Sequence, residues 1–142
     1  MLLSFNIDEM RPWIVNGLKE LAGEPVEGRV KRQTIRRFGP LYVKKFGTSH
    51  HLEDLQLDLW WKSRTPGGFK FGQATGSGTR ITILNAGSRL ALETVDFQAF
   101  KAASTVELNG FSQADGFNSD KEFLEYFVPK EGDVFEGVLF RW

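Results

Sequence analysis

The feature that most constrains the fold is a series of short segments in which apolar and polar residues alternate. In "LQLDLWW" at 55–61, Leu55, Leu57 and Leu59 alternate with polar partners, which predicts a half-buried strand. "LLSFNI", near the start of the chain, has the same pattern and the same prediction. The closing segment "VFEGVLFRW" carries apolar residues on both parities, which indicates a strand buried on both faces.

More strands are predicted beyond a turn at "RTPGG", where proline and glycine favour a reversal of the chain. They are "FKFGQA" and "TRITIL", followed by the weaker candidates "RLALETV" and "STVELNG". The segment 39–54 carries glycine, proline, histidine and charge with little periodicity. We therefore expect it to be mainly a connection.

Two helices are predicted, one near each end of the chain. Asp8 is the predicted N-cap of the first helix, which ends near Ala22. The second starts at Ser119, because "SDKE" has the spacing of a capping box and an apolar face with Phe123 and Phe127 follows.

Several short strands with two helices, and no regular alternation of strand and helix, favour an α+β fold. The architecture we expect is a small mixed β-barrel with helices packed on it. A chain of 142 residues with 41% hydrophobic residues is long enough to bury one core. Residues 1–142 are therefore predicted to form a single domain.

Composition excludes several classes of function. Eighteen basic residues balance eighteen acidic ones, so an anionic ligand must be met by a local patch of charge. There is no cysteine, and the only histidines, His50 and His51, have no third ligand at useful spacing. No signal peptide or membrane span is predicted. We expect a cytoplasmic protein without a metal, a cofactor or a membrane partner.

The local patch is "GRVKRQTIRR" at 28–37, which surrounds one threonine with one lysine and four arginines. A threonine hydroxyl becomes a useful nucleophile when a neighbouring base takes its proton. Lys31 can serve as that base if burial or adjacent positive charge lowers its pKa. Residues three apart in an extended strand point to opposite faces, so Lys31 and Thr34 meet only if the chain turns or bulges between them.

The order of these segments resembles the ASCH family of the PUA-like superfamily. The resemblance rests on the N-terminal strand and helix, "K-x-x-T-x-R" at Lys31, Thr34 and Arg36, then "LDLWWKSRT", "ADGF" and the closing aromatic strand. It covers nearly the whole chain. It implies a small PUA-like β-barrel with a cleft for RNA or modified nucleosides. One branch of the family consists of bacterial amidohydrolases that remove the acetyl group from N(4)-acetylcytidine.

The resemblance implies three catalytic residues: Lys31 as base, Thr34 as nucleophile and Asp115 of "ADGF" as the supporting acid. Two positions depart from the family pattern. Arg29 stands where the family has glycine, two residues before the lysine, and Gly28 lies one position further back. Asp115 stands in place of glutamate, so its carboxylate is shorter by one methylene.

Six further residues are candidates for substrate binding: Arg29, Arg36, Arg37, Trp60, Trp61 and Arg64. The arginines would contact phosphates, or form a solvated edge. Of the adjacent tryptophans Trp60 and Trp61, one should enter the core and the other face outward, where it would stack a base or simply pack. The alternative role of Asp115 is to cap the "SQAD" turn.

The sequence and its family resemblance lead to three hypotheses about function. The first is an amidohydrolase acting on an acylated nucleoside such as N(4)-acetylcytidine. The second is a non-catalytic module that binds RNA or a modified nucleoside in the same basic cleft. The third is a structural or regulatory interaction protein in which the cleft has no ligand.

Overall fold

The computed structural model describes residues 1–86, 89–93, 101–102 and 112–142. It confirms an α+β fold in which helices pack on a mixed sheet. The strands are β1 (Leu2–Phe5), β2 (Gln33–Arg37), β3 (His51–Trp61), β4 (Phe69–Ala86), β5 (Arg89–Glu93), β6 (Lys101–Ala102) and β7 (Val134–Arg141). The helices are α1 (Arg11–Leu21), α2 (Pro40–Phe46) and α3 (Asp120–Phe127).

Five of the strands form a curled half-barrel in the order β1, β3, β4, β7, β2. β1 runs parallel to β3, and the other pairs are antiparallel. Within the described ranges, β1 pairs only with β3 and β2 pairs only with β7. These two strands are therefore the facing edges of the half-barrel.

The predictions of separate strands at "FKFGQA" and "TRITIL" were wrong, because both belong to the single 18-residue strand β4. Its first part pairs with β3, and its second part pairs with β5 and β7. The glycines between the two segments serve close packing rather than a turn. A Cβ atom at Gly76 would lie 2.1 Å from the carbonyl oxygen of Arg141, so only glycine lets β4 approach the end of β7 here.

The prediction of a connection at 39–54 was also wrong in part. Pro40 occupies the first turn of α2, where its missing N–H costs nothing. Phe46 is buried in the barrel core while Leu41 and Val43 are exposed, so a short helix forms with only a narrow apolar face. β3 then begins at His51, earlier than the leucine alternation indicates.

The two predicted helices are present, with one corrected boundary. Asp8 starts a 3₁₀ turn, Asp8–Met10, and α1 follows at Arg11, so Asp8 is not its N-cap. The start of α3 at Ser119 is confirmed: the Ser119 hydroxyl accepts from the Glu122 N–H at 3.2 Å, and the Glu122 carboxylate accepts from the Asn118 N–H at 3.0 Å instead of from that of Ser119. The strand at "RLALETV" is confirmed for Arg89–Glu93, and "STVELNG" lies outside the described residues.

β7 separates two apolar clusters, which confirms a strand buried on both faces. Val138 and Phe140 point into the half-barrel, where they join Leu57 and Leu59 of β3. The alternate residues point outward and pack against α3; these are Phe135 and Leu139. The helix thus covers the outer face of β7 and β2, next to the gap between the edge strands.

Candidate active site

A cavity of about 110 Å³ lies at the gap between the two edge strands. Its walls come from the chain just after β1, from β2, and from the segment 115–127. Its polar lining includes all three predicted catalytic residues, Lys31, Thr34 and Asp115, together with Arg36. Lys31, Thr34 and Asp115 are 2%, 4% and 5% exposed. The fold therefore gathers these side chains at one buried end of the cavity.

Lys31 and Thr34 share the cavity because the strand between them begins late. β2 starts at Gln33, so Lys31 precedes the strand and does not follow its alternation. The N–H of Lys31 instead donates to the carbonyl oxygen of Trp13 in α1 at 2.9 Å. Residue 31 is thus placed by the packing of its backbone against α1 and not by the alternation of β2.

Asp115 reaches the cavity from a short helical segment at 112–115, which ends at Gly116. Gly116 has a φ of +102°, and a Cβ atom there would lie 2.6 Å from Cε of Met10 and 3.4 Å from Nζ of Lys31. Glycine is therefore needed both for the backbone conformation and for the close approach. The Asp115 side chain points towards Lys31 and accepts a hydrogen bond from the Ile35 N–H.

The Lys31 ammonium donates to the backbone carbonyl of Asp115 and lies 3.9 Å from its carboxylate Oδ1. This Oδ1 atom is buried and has no hydrogen-bond partner within the described part of the chain. A buried acceptor in this state costs free energy unless a ligand or water supplies a donor. The hydroxyl of Thr34 is not hydrogen-bonded to Lys31 in this structure.

Burial shifts the proton affinities of both members of the pair. It lowers the pKa of Lys31 to about 8, opposed by Asp115 and assisted by Arg36 and Arg29. It raises the pKa of Asp115 to about 6, against the attraction of Lys31 and Arg36. Both side chains are therefore held closer to their neutral forms than exposed groups would be, as acid–base chemistry near neutral pH requires.

Arg36 bridges the two edges of the half-barrel. Its Nη2 donates to the Ser4 carbonyl of β1 at 2.6 Å, and its guanidinium lies 5.0 Å from the Phe5 ring centroid. The planar guanidinium has five N–H donors. Since the side chain also lines the cavity, it can hold the edges together and still present charge to a ligand.

Arg29, a predicted substrate-binding residue, anchors the segment that carries Asp115. Its guanidinium donates to the backbone carbonyls of Gln113 and Phe117 at 2.9 and 2.8 Å, and to Asn118 Oδ1 at 3.2 Å. It also stacks over Trp13 with a separation of 4.2 Å. Its donors are directed at protein oxygen atoms, so its role here is to position Asp115.

The mouth of the cavity is aromatic, which the sequence analysis did not anticipate. Phe117 lies there with the exposed Tyr126 and Ile7, while Phe5 and Phe127, which also line the cavity, are buried. The Phe117 and Tyr126 ring centroids are 5.5 Å apart, and Tyr126 is 71% exposed. The sequence did contain one indication of it: Tyr126, next to Phe127, is an aromatic residue that lies off the apolar face of α3.

The remaining predicted residues do not line the cavity. Trp61 is buried in the half-barrel and Trp60 is half-buried on the other face, which confirms that the pair divides between core and surface. Both belong to β3, and β1 separates β3 from the gap. Arg64 is exposed in the turn after β3, and the exposed Arg37 lies over Phe135 at 4.8 Å.

The described residues contain no group of three or more side chains placed to hold a metal ion. None of their helices has the length and apolar character needed to cross a membrane.

Comparisons with models of protein families, with curated proteins and with solved structures find no match for this chain.

Proposed function

We propose that the chain is an ASCH-type, PUA-like amidohydrolase that removes the acyl group from an acylated nucleoside such as N(4)-acetylcytidine. The observation that carries the proposal is the convergence of Lys31, Thr34 and Asp115 at the buried end of one cavity. A hydroxyl, an amine and a carboxylate in this arrangement supply a nucleophile, its base and a group that positions the base.

In the proposed reaction, neutral Lys31 takes the proton of the Thr34 hydroxyl as its Oγ1 attacks the acyl carbon. Arg36 stabilises the negative charge that develops on the carbonyl oxygen. The carbon–nitrogen bond breaks, and Lys31 returns the proton to the departing amine. Water then attacks the Thr34 ester, which releases the carboxylic acid and restores the hydroxyl.

A nucleoside suits the mouth of this cavity. The exposed ring of Tyr126 and the adjacent Phe117 offer flat surfaces on which a base can stack. Such stacking contributes about 1–3 kcal/mol per base. The cavity, about 110 Å³ in all, has room for the acyl group, so the base and its sugar would lie at the mouth.

The test is hydrolysis of N(4)-acetylcytidine by the purified protein, followed as cytidine release by chromatography. We expect Thr34→Val to abolish turnover, because valine keeps the shape of the side chain but has no nucleophile. Thr75→Val is the matched control, since Thr75 is exposed on β4 outside the cavity. Turnover that survives in Thr34→Val rejects Thr34 as nucleophile, and no turnover by the wild type rejects the amidohydrolase.

A second candidate is a non-catalytic module that binds a modified nucleoside in the same cavity. It is favoured by one contact: the Lys31 ammonium donates to the Asp115 backbone and not to Thr34. Binding of N(4)-acetylcytidine without release of cytidine, lost in Tyr126→Ala, is the result expected for this candidate.

A further inference from the structure

The charged side chains that line the cavity are not balanced. Among the described residues they are Lys31, Arg36 and Asp115, which gives two positive charges and one negative charge. The hydrogen bond of Arg36 goes to an uncharged carbonyl, that of Ser4. Arg29 adds a third cation nearby, and it too is bound by neutral oxygen atoms. The side chains of the lining, Arg29 not counted, thus have a surplus of one positive charge.

Surplus charge in a partly buried site is costly unless an ion of opposite sign approaches it. A guanidinium is well suited to this task, because its fork of N–H donors matches the two oxygen atoms of a carboxylate. The Lys31 ammonium, which has three donors, lies in the same lining. One carboxylate head group would therefore neutralise the surplus.

Much of the remaining lining is apolar, with Phe5, Ile7, Met10 and Phe117 among its members, beside the polar Asn6, Thr34 and Tyr126. These side chains would contact the hydrocarbon part of a ligand, whereas they offer nothing to a fully hydrated ion such as phosphate. A volume of about 110 Å³ equals that of roughly three or four water molecules in the liquid. The space therefore suits a head group with a tail of one to three carbons.

We propose that this cavity binds a short-chain monocarboxylate, with its head group on Arg36 and Lys31 and its alkyl tail against the apolar wall. This deepens the proposed function, and rests on it for the biological source of the ligand, because hydrolysis of an acyl amide releases such an acid. The binding itself requires no turnover. Acetate is then a weakly bound product and a competitive inhibitor.

The test is titration of the full chain with sodium acetate, followed by amide NMR shifts, with sodium chloride added to keep the ionic strength constant. We expect saturable shifts in 31–36 and 115–117 with a dissociation constant on the order of 1 mM, within the ceiling for a ligand of four heavy atoms. Propionate should bind comparably, and octanoate and phosphate at least tenfold more weakly. Absence of saturation with acetate, or equal binding of phosphate, overturns the proposal.

Arg36→Lys is the variant of choice, because it keeps the charge and the aliphatic stem but removes the fork. We expect it to weaken acetate binding at least tenfold. Arg80→Lys is the matched control, since Arg80 also lies on the sheet and stacks over a phenylalanine, Phe38, at 4.2 Å. If both variants bind acetate like the wild type, the assigned head-group site is wrong.

The two proposals fail separately in these experiments. Acetate binding without hydrolysis of N(4)-acetylcytidine rejects the amidohydrolase and supports the carboxylate site. Hydrolysis without acetate binding, or without competitive inhibition by acetate, rejects the carboxylate site and leaves the amidohydrolase in place.

Discussion

Two lysine–aspartate pairs in the described part of the chain behave differently because of where they lie. Lys70 and Asp58 meet across β3 and β4 with 2.5 Å between Nζ and Oδ1, and both side chains are substantially exposed. Lys31 and Asp115 are 3.9 Å apart and nearly inaccessible. The hydrogen bond from Lys70 lowers the pKa of Asp58, whereas burial raises the pKa of Asp115 despite its own lysine neighbour.

The difference shows that the attraction of a cation does not by itself decide the proton affinity of a carboxylate. In the exposed pair, water solvates both charges, and the hydrogen bond decides the direction. In the buried pair, loss of water penalises both charges by more than their mutual attraction returns. A buried lysine–aspartate pair therefore contributes little to stability, but its two groups are suited to acid–base chemistry.

The largest expected effect is on the free energy of unfolding. Lys31→Met leaves the Asp115 carboxylate buried without its cation, so we expect a loss of about 3–5 kcal/mol at neutral pH. Lys70→Met, the matched change in the exposed pair, should have no resolvable effect. Chemical denaturation of both variants beside the wild type measures the two values.

The double variant Lys31→Met/Asp115→Asn sharpens this comparison. It removes both charges while keeping similar side-chain volumes, and we expect it to be at least as stable as the wild type. A double variant as unstable as Lys31→Met alone would contradict our view that the buried charges, and not the packing of the two side chains, set the cost.

A smaller effect is expected in the pH dependence of stability. The folded state binds extra protons at Asp115 between the unfolded pKa of 3.8 and about 6, so this group's contribution to stability falls as pH rises through that window. Lys31 binds fewer protons when folded between about 8 and 10.5, so its contribution rises with pH there. The pair is therefore least favourable between about 6 and about 8.

Denaturation at pH 5, 7 and 9 tests this expectation. The gain in stability of Lys31→Met/Asp115→Asn over the wild type should be greatest at pH 7 and smaller on either side. Asp58→Asn serves as the control: because the pKa of Asp58 is lowered, its contribution is lost only as pH falls below its ordinary value of 3.8. A constant difference between double variant and wild type at all three pH values would refute the assigned shifts.

The strands of this fold were predictable where the apolar pattern is strong, as in the alternation of β3 and the apolar run on both faces of β7. The parallel pairing of β1 with β3 was not, because it joins residues more than fifty positions apart and no local pattern encodes it. The helix at Pro40–Phe46 was missed for a different reason. Seven residues with one buried phenylalanine give too little periodicity to distinguish a helix from a loop.

The residues of the candidate site also divide into those that were predicted from the sequence and those that were not. Lys31, Thr34 and Asp115 were named from the sequence through a resemblance, and the cavity contains all three. Tyr126 and Phe117 were not named, because their place at the mouth depends on how α3 packs beside the gap. Trp60, Trp61 and Arg64 were named from their chemistry, yet β1 lies between their strand and the cavity. Residue type thus suggested a chemistry, while strand order decided which of the named residues line the cavity.

The smallest expected effect concerns the exposed charges and binding of an RNA strand. A cation that neutralises a phosphate releases a counterion, which gives a slope in log affinity against log salt of about −0.7 per contact for single strands. The basic run has few cations available for this. Arg29 is bound to the 113–118 segment, Arg32 forms a 2.9 Å salt bridge with Glu20, and Arg36 lies partly buried against Ser4.

We therefore expect any affinity for a short single-stranded RNA to vary with salt less steeply than about −0.7, the value for one phosphate contact. Fluorescence anisotropy with a labelled oligonucleotide at two salt concentrations measures the slope, and Arg37→Ala, which removes an exposed arginine outside the cavity, should leave it unchanged. A slope of about −1.4 or steeper corresponds to two or more phosphate contacts. It would show that the basic segment 28–37 binds an RNA backbone, and that its exposed charges, not the buried pair, carry its function.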